Sequence, residues 1–300
     1  MAVAQSQYVA DMLTTRTGRP VQIVGMSTFG DVSHAHLAQL GGTGVFVSSL
    51  RESLVAGEVD FAVHSLKDLP TGQASGLTLA AIPARDDPRD ALISRGGTKL
   101  ADLPVQARIG TGSPRRAAQL LLLRPDLRPV AIRGNAGTRL GKIDSGEVDA
   151  VVLAYAGLAR IGRLDVVSQV FEPDEMLPAP GQGALAVECL AGRPDLADLL
   201  GSIDDPVSRA ATEAERALLA ALEAGCTAPV GAYAAGTKTL RLDAIVAATD
   251  GGGALRANAV GPAREAARLG RQVAADLLGR GAGRYTDVSA GHLPNGEDAK

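Results

Sequence analysis

The chain has 300 residues, of which 46% are hydrophobic and 21% charged, as is usual for a globular protein with packed cores. A net charge of −3 and an aromatic content of 3% argue against a nucleic-acid-binding surface. No apolar stretch reaches the roughly eighteen residues needed to span a membrane, and the first residues lack the pattern of a signal peptide. The two cysteines, Cys189 and Cys226, provide no disulfide framework and no metal-ligand spacing, which favours a cytoplasmic location.

The first elements alternate between helix and strand. Apolar periodicity predicts helices over residues 1–16 and 46–56. Strands are predicted over 21–26, 60–64 and 77–82. Residues 27–44 are polar and rich in glycine, so we expect them to form a lid over a binding cleft.

A repeated G-E-V-D motif precedes a predicted strand in both halves of this region, at residues 57–70 and 146–158. In the first copy the strand leads into Ser65, Lys67 and Asp68, at the edge where ligands bind in open α/β sheets. In the second copy alanine and glycine stand in place of the lysine and the aspartate. The repeat predicts two similar lobes, with the reactive group on the first.

The second lobe and a third domain follow. Strands of the second lobe are predicted over residues 91–94, 107–110, 129–133 and 150–154, and its helices begin near Pro114 and Thr138. After a rigid turn at 178–183, a strand at 184–189 returns to the first lobe. Asp205 is the predicted N-cap of a long helix that begins at Pro206 and ends near residue 224. Strands at 240–248 and 255–260 and a helix at 263–278 then predict a small α+β domain.

Six motifs resemble those of porphobilinogen deaminase (hydroxymethylbilane synthase), in family order between residues 30 and 233: H-S-L-K-D-L-P, D-D-P-R-D-A, G-T-x-S-x-R-R, R-G-N-A-G-T-R, P-A-P-G-Q-G-A and E-A-G-C-T-A-P-V-G. The resemblance implies an α/β protein with two lobes like those of type II periplasmic binding proteins, around a cleft, and an α+β C-terminal domain. The expected boundaries are 1–83 with 184–201 for domain 1, 88–178 for domain 2, 206–290 for domain 3 and 291–300 for a polar tail.

The resemblance also implies an activity. Members of the family are transferases of porphyrin and heme biosynthesis that join four porphobilinogen molecules head to tail into hydroxymethylbilane and release ammonia. They use a dipyrromethane cofactor, made from the substrate and held by one cysteine through a thioether. A cytoplasmic monomer with no nucleic-acid or membrane partner is expected.

The residues themselves suit this chemistry. Porphobilinogen carries acetate and propionate groups, which arginine forks pair bidentately. Asp68 is the expected catalytic residue, because one carboxylate can protonate the leaving amine and stabilise the cation that remains. A loop aspartate that caps a helix or pairs with Lys67 is the alternative. The expected substrate- and cofactor-binding residues are Ser65, Lys67, Thr111, Ser113, Arg115, Arg116, Arg133, Asn135, Arg139, Arg160 and Gln182. An isolated arginine would more often be an ordinary surface residue.

Cys226, just beyond a helix end, is the expected attachment point of the dipyrromethane. Cys189, within an apolar strand, is interpreted as a small buried residue. His64 is interpreted as a core histidine rather than a general base, and no metal site is expected.

The sequence also departs from the family pattern. The family begins with a strand and loop of the type R-I-A-T-R-x-S-P-L-A, and this chain starts at about the end of that pattern. A truncated gene model is therefore expected, with poor stability and low activity as it stands. Phe29, Gln39 and Thr43 replace basic residues of the lid. Two alternatives stay open: a two-lobe protein that only binds small anions, and a truncated, inactive deaminase.

Overall fold

The computed structural model describes residues 1–26, 42–224 and 228–286, without the side chains of 42–46 and 286. The described helices are α1 (Ala2–Thr17), α2 (Gly42–Val55), α3 (Pro114–Leu123), α4 (Ala136–Asp144), α5 (Tyr155–Arg160), α6 (Pro194–Gly201), α7 (Pro206–Ala221), α8 (Ala266–Gly279) and α9 (Gly283–Thr286). The described strands are β1 (Phe61–Ser65), β2 (Leu77–Ala81), β3 (Asp90–Ser94), β4 (Arg108–Gly110), β5 (Arg128–Val130), β6 (Ala150–Ala154), β7 (Gln169–Val170), β8 (Leu185–Leu190), β9 (Val230–Ala235), β10 (Thr239–Ala247) and β11 (Ala254–Pro262).

The chain divides into two compact units. The first unit is Met1–Asp86 with Ala184–Arg209, and the second is Asp87–Gly183 with Ala210–Lys300. No helix in the described ranges is long and apolar enough to cross a membrane.

The first unit contains a sheet in the order β1–β8–β2, in which β8 is antiparallel to both neighbours. Val9 and Leu13 of α1 are fully buried in the same apolar cluster as Val187 of β8. The burial pattern of β1, with Ala62 and His64 buried and their neighbours half-buried, is typical of a strand covered mainly on one face. Phe61 and Val63, on the other face of the strand, pack against the cluster that contains Val9 and Leu13, and this contact with α1 helps to fix the register of the strand that leads to the predicted catalytic loop.

The end of β1 continues into a short 3-10 helix, Leu66–Asp68. The backbone N–H of Leu66 donates to the carbonyl of Ala184 at 3.0 Å, and the Leu66 side chain is fully buried beside Leu69 and Ile82. Because this leucine is held on both its backbone and its side chain, the turn presents Lys67 and Asp68, both half-buried, in one defined position.

The second unit contains a five-stranded sheet in the order β5–β4–β6–β3–β7. Strands β5, β4 and β6 are parallel, and β3 runs antiparallel to β6. Successive residues of β6 alternate between two separate core clusters, with Val152 in one and Val151 in the other. A sheet buried on both faces explains the continuous apolar runs of these strands.

The second unit also contains an antiparallel sheet in the order β11–β10–β9. Helices α7 and α8 share one apolar cluster with this sheet, through side chains such as Leu218, Leu242 and Val273. The side chain of Asp205 accepts from the backbone N–H of Val207 at 3.0 Å, as expected of the cap at the start of α7.

The predicted mixed α/β fold, with an α+β C-terminal part, is confirmed. The strand predicted at residues 21–26 is wrong, because this segment forms no ladder with the sheet of the first unit. Strands β7 and β9 and helices α5, α6 and α9 escaped prediction. Strand β7 and the three helices are too short for a clear periodicity, and β9 is rich in alanine and glycine. The lid at 27–44 lies almost wholly outside the described residues, as do Phe29, Gln39, the side chain of Thr43 and the tail at 291–300.

Candidate active site

In the first unit, the predicted site residues of the β1 loop are held by buried polar contacts. Ser65 accepts a hydrogen bond on its Oγ from the Nε2 of Gln5, at 2.8 Å, and Gln5 is itself buried in α1. Lys67 and Asp68 follow on the 3-10 helix and are half-buried. Helix α1 thus orients the serine, which precedes the two charged residues.

A buried ionic group lies beside this loop. The carboxylate of Glu188 accepts from the Nε and Nη2 of Arg51 at 2.9 and 2.8 Å, and His64 Nε2 lies 3.3 Å from Glu188 Oε2. Burial alone would raise the pKa of Glu188, but the contacts with His64 and Arg51 outweigh it and lower that pKa to about 2. The buried position of His64 is consistent with its interpretation as a core histidine.

In the second unit, two helix starts stand at the carboxyl ends of the neighbouring parallel strands β4 and β5. Ser113 caps α3, since its Oγ accepts from the Arg116 N–H at 3.4 Å, and Asn135 caps α4 by accepting from the Thr138 N–H at 2.9 Å. Thr111 is fully buried and accepts from the Ser113 N–H at 3.1 Å. The three side chains shape the loops, and direct contact with a ligand stays a prediction for each.

Arg115 and Arg116 share the carboxylate of Asp90, which is fully buried. Arg116 donates to Asp90 Oδ1 from its Nε and Nη2 at 3.0 and 2.7 Å, and Arg115 Nη1 lies 2.7 Å from Asp90 Oδ2. Burial would raise the pKa of Asp90, but the two adjacent guanidinium charges hold it well below its usual range. The carboxylate therefore stays ionised and orients both arginines.

Gln182 belongs to the same group of side chains. Its Nε2 donates to Asp90 Oδ1 at 2.9 Å and to the Pro88 carbonyl at 2.7 Å. We call Asp90, Arg115, Arg116 and Gln182 the Asp90 cluster. Three of its four members are predicted binding residues.

The remaining predicted arginines of the second unit differ in burial. Arg139 is half-buried and donates from its Nε to the Gly134 carbonyl at 2.8 Å. Burial, together with the charge of Arg116, lowers the pKa of Arg139. Arg160 donates from its Nη2 to the Gly183 carbonyl at 2.6 Å, and Arg133 is exposed.

The Asp90 cluster has the properties of an anion site. Its two guanidinium groups face one carboxylate, which leaves one positive charge in excess in a region where Arg115 is only 3% exposed. The Nε of Arg115 is buried and finds no hydrogen-bond acceptor among the described residues. A buried donor without an acceptor costs about 1–3 kcal/mol, so a bound carboxylate would satisfy both the charge and the hydrogen bond. The residues present therefore fit a cofactor that carries carboxylates.

The structure describes one of the two cysteines and not the other. Cys226 lies outside the described residues, so its attachment role stays a prediction. Cys189 is a free thiol, fully buried in β8. No group of three or more metal-ligating side chains occurs within the ranges described.

Three residues that organise these loops were missed at the level of sequence. Gln5, Asp90 and Glu188 each contact a predicted site residue or its immediate neighbour. Asp90 stands in the D-D-P-R-D-A motif, so its motif was recognised without a role for the residue. Gln5 and Glu188 carry no such signal, because each is a polar residue on the buried face of an ordinary helix or strand.

Comparison with known proteins places the chain in one family. The sequence profile described as "Porphobilinogen deaminase, dipyromethane cofactor binding domain" matches residues 1–198, and that described as "Porphobilinogen deaminase, C-terminal domain" matches residues 210–279. The porphobilinogen deaminase of Thermobifida fusca is 58% identical, over 97% of this chain and 94% of that protein. Porphobilinogen deaminase 1 of Streptomyces coelicolor is 54% identical, over 94% of this chain and 93% of that protein.

A more distant relative agrees. The porphobilinogen deaminase of Mycobacterium marinum is 49% identical, over 99% of this chain and 96% of that protein. These matches extend over the first unit, the five-stranded sheet and the C-terminal sheet alike, and the first profile is that of a cofactor-binding domain. The chain therefore belongs to the porphobilinogen deaminase family, transferases of tetrapyrrole biosynthesis that carry a dipyrromethane cofactor.

Proposed function

We propose that this chain joins four porphobilinogen molecules head to tail into hydroxymethylbilane, with Asp68 as its catalytic carboxylate and the arginines of the second unit as its carboxylate-binding residues. The observation that carries the assignment of the arginines is the Asp90 cluster, with its excess positive charge and the unsatisfied Nε of Arg115. A substrate with an acetate and a propionate on each ring adds two carboxylates at every condensation. Such a product needs permanently charged, fork-shaped partners, which arginine supplies and lysine does not.

The arginines are proposed to bind different carboxylates, depending on how deeply each arginine is buried. Arg115 and Arg116 supply permanent positive charge to carboxylates that do not exchange with solvent, because both are almost completely buried, and the direct hydrogen bonds come from Arg115. Arg133, which is exposed, and Arg139, which is half-buried, bind groups that enter and leave during the reaction. The starts of α3 and α4 add favourable backbone dipoles for the same anions.

Asp68 is proposed to transfer protons to and from the substrate and to stabilise the positive charge that forms on it. As an acid it protonates the amine that leaves as ammonia, and as a carboxylate it stabilises the cation that remains on the substrate. After the carbon–carbon bond forms, the same carboxylate accepts the proton lost from the pyrrole ring. Its place on a turn held by buried Leu66 supports this role, since a reacting group must keep its geometry through the cycle.

Cys226 is proposed to hold the dipyrromethane. When bound, this cofactor supplies the pyrrole carbon to which the first substrate is joined. The residues of this chain that would contact it are Arg115, Arg116 and Gln182 of the Asp90 cluster, whose fit to carboxylates is described above. We also propose that the protein is a monomer and that it is cytoplasmic; the free thiol of Cys189, typical of a reducing compartment, supports the second part. Light scattering after gel filtration tests the oligomeric state.

One experiment tests the function. The purified 300-residue chain is incubated with porphobilinogen, ammonia is measured, and the product is oxidised and recorded as uroporphyrin fluorescence. In parallel, intact mass is measured for the wild type, Cys226→Ser and the control Cys189→Ala. We expect an addition of two pyrrole units on the wild type and on the control, and none on Cys226→Ser. A wild type that binds porphobilinogen without releasing ammonia would instead support a protein that only binds small anions.

A further inference from the structure

Asp90 brings together two side chains of α3 that would not face each other on the helix alone. Arg115 and Arg116 are consecutive residues in the first turn of α3, and consecutive side chains on a helix do not face each other. Here one carboxylate brings them together, with Oδ1 toward Arg116 and Oδ2 toward Arg115. Without that carboxylate the two guanidinium groups would repel each other across a buried site.

The hydrogen bonds of the two arginines are distributed unequally. Arg116 is engaged at all three of its nitrogens, since it also donates from Nη1 to the Val152 carbonyl at 3.1 Å. Arg115 contacts the protein only through Nη1, which lies 2.7 Å from Asp90 Oδ2 and donates to the Leu177 carbonyl at 2.7 Å. The Nε of Arg115 has no acceptor among the described residues, and Asp90 Oδ2, which meets Arg115 as an ion pair, has no hydrogen bond of good geometry among them either. The Nε–Nη2 edge of a guanidinium group is the one that pairs side-on with a carboxylate.

Stability alone does not account for this arrangement. Buried ion pairs are often no better than apolar residues of the same size, and this cluster in addition leaves a charge and an N–H group uncompensated. A fold selected only for stability would gain by removing one arginine. The free-energy cost of the excess charge and the unsatisfied N–H group is explained if the cluster binds a ligand that supplies the missing negative charge.

We propose that Asp90 is a positioning residue, which holds Arg115 and Arg116 so that the free edge of Arg115 binds one carboxylate of the dipyrromethane or the growing product. This inference rests on the proposed function. Asp90 itself does not touch the ligand and acts through the two arginines and Gln182. Its charge keeps the guanidinium groups together, and the position of its two oxygens sets the direction of each.

The test compares Asp90→Asn, Asp90→Glu and the control Asp149→Asn in the same 300-residue chain. Asparagine would turn an N–H group or a neutral oxygen toward the Nη1 of Arg115, whereas glutamate keeps the charge but moves it by one methylene. Asp149 forms an ion pair with Arg108 in the same unit, at 3.0 Å and with both side chains more than a third exposed. Each variant is incubated with porphobilinogen, and the fraction carrying two pyrrole units is measured by intact mass. Far-UV circular dichroism and thermal unfolding report the fold, and KM and kcat are measured on loaded protein.

We expect both Asp90 variants to fold, with a cofactor-loaded fraction and kcat/KM reduced on the order of tenfold to a hundredfold, mostly through KM. The control should load and turn over like the wild type. If Asp90→Asn fails to fold, Asp90→Glu decides, because it retains the charge that a merely structural role requires. Folded Asp90→Glu with normal loading and normal KM would overturn the proposal. Failure of the proposed function is a separate result, in which the wild type itself acquires no added mass.

Discussion

Asp68 is the residue whose replacement is expected to separate catalysis from folding. It is half-buried on a turn anchored by Leu66, so removal of its charge leaves the apolar packing intact. For Asp68→Asn we predict a fall in kcat of roughly 10²–10⁴-fold, the usual contribution of a general acid or base, with little change in the thermal midpoint. Steady-state kinetics and calorimetry check both parts.

Asp60 offers a matched control for this substitution. It precedes β1, is 73% exposed at its side chain and lies 3.6 Å from Arg193. Asp60→Asn should keep normal turnover, because Asp60 lies outside the predicted catalytic turn. It should also keep normal stability, because a surface ion pair contributes only about 0–1 kcal/mol. A near-normal rate for Asp68→Asn would remove Asp68 from the mechanism.

The lowered pKa of Glu188 predicts how the stability of the first unit changes at low pH. Its pKa falls from an ordinary 4.5 to about 2 in the folded protein, mainly because contacts with His64 and Arg51 outweigh its burial. A carboxylate with a lowered folded pKa stabilises the fold above its unfolded pKa, and this contribution is lost as the pH falls from about 4.5 through about 2. The difference in free energy of unfolding between wild type and Glu188→Gln should therefore be on the order of 3 kcal/mol at pH 7 and shrink toward pH 2.

Urea unfolding at a series of pH values measures this difference. Glu147→Gln is the control, because the Glu147–Lys142 pair has a carboxylate side chain that is 48% exposed. We expect less than about 1 kcal/mol for the control at every pH. A Glu188→Gln difference that stays constant between pH 7 and pH 2 would contradict the ionic role of Glu188.

At the scale of elements, the contact between α7 and α8 depends on one glycine. A Cβ atom on Gly270 would lie 2.2 Å from the Ala214 carbonyl oxygen and 2.8 Å from the Leu218 nitrogen, both of which are backbone atoms that cannot rotate away. The helices would have to separate, and the cluster that joins them to the C-terminal sheet would lose packing. This close approach explains a glycine in a helix interior, where it otherwise costs about 1 kcal/mol relative to alanine.

We therefore predict that Gly270→Ala destabilises the protein by roughly 1–3 kcal/mol, the usual cost of overpacking, in spite of the better helix propensity of alanine. Gly279→Ala is the matched control on the same helix, since, apart from its chain neighbours and the adjoining backbone of that helix, no described atom lies within 4 Å of the position that its added methyl group would take. The control should be neutral or slightly stabilising. Chemical unfolding of the two variants compares them directly, and equal stabilities would contradict the steric argument.

For the whole molecule, the excess charge of the Asp90 cluster predicts that loading with cofactor stabilises the protein. The loaded wild type should unfold at a higher temperature than the unloaded Cys226→Ser variant. If the bound carboxylates contribute about 2 kcal/mol, the difference is roughly 3 °C for a protein of 300 residues. Calorimetry measures it, with Cys189→Ala as the control for loss of a thiol, and equal midpoints for the loaded and unloaded forms would contradict the prediction.

The sequence by itself determined the α/β class and the family, because these depend on local patterns, and it supplied the candidate site residues as predictions. Apolar periodicity marks strands and helices, and motifs such as H-S-L-K-D-L-P and R-G-N-A-G-T-R keep the chemistry-bearing residues next to one another in the chain. The extended segment at 21–26 shows the limit of such patterns, because strand-like residues form a strand only where a partner strand exists.

Only the tertiary structure decided how those residues are held. Asp90 meets Arg116 across 26 positions and Gln182 across 92, and Gln5 meets Ser65 across 60. Such contacts depend on which strands are neighbours and on the register between them. A side chain in the sequence does not reveal its partners across the sheet, and it is the chain fold that brings a carboxylate from β3 beneath two arginines from α3.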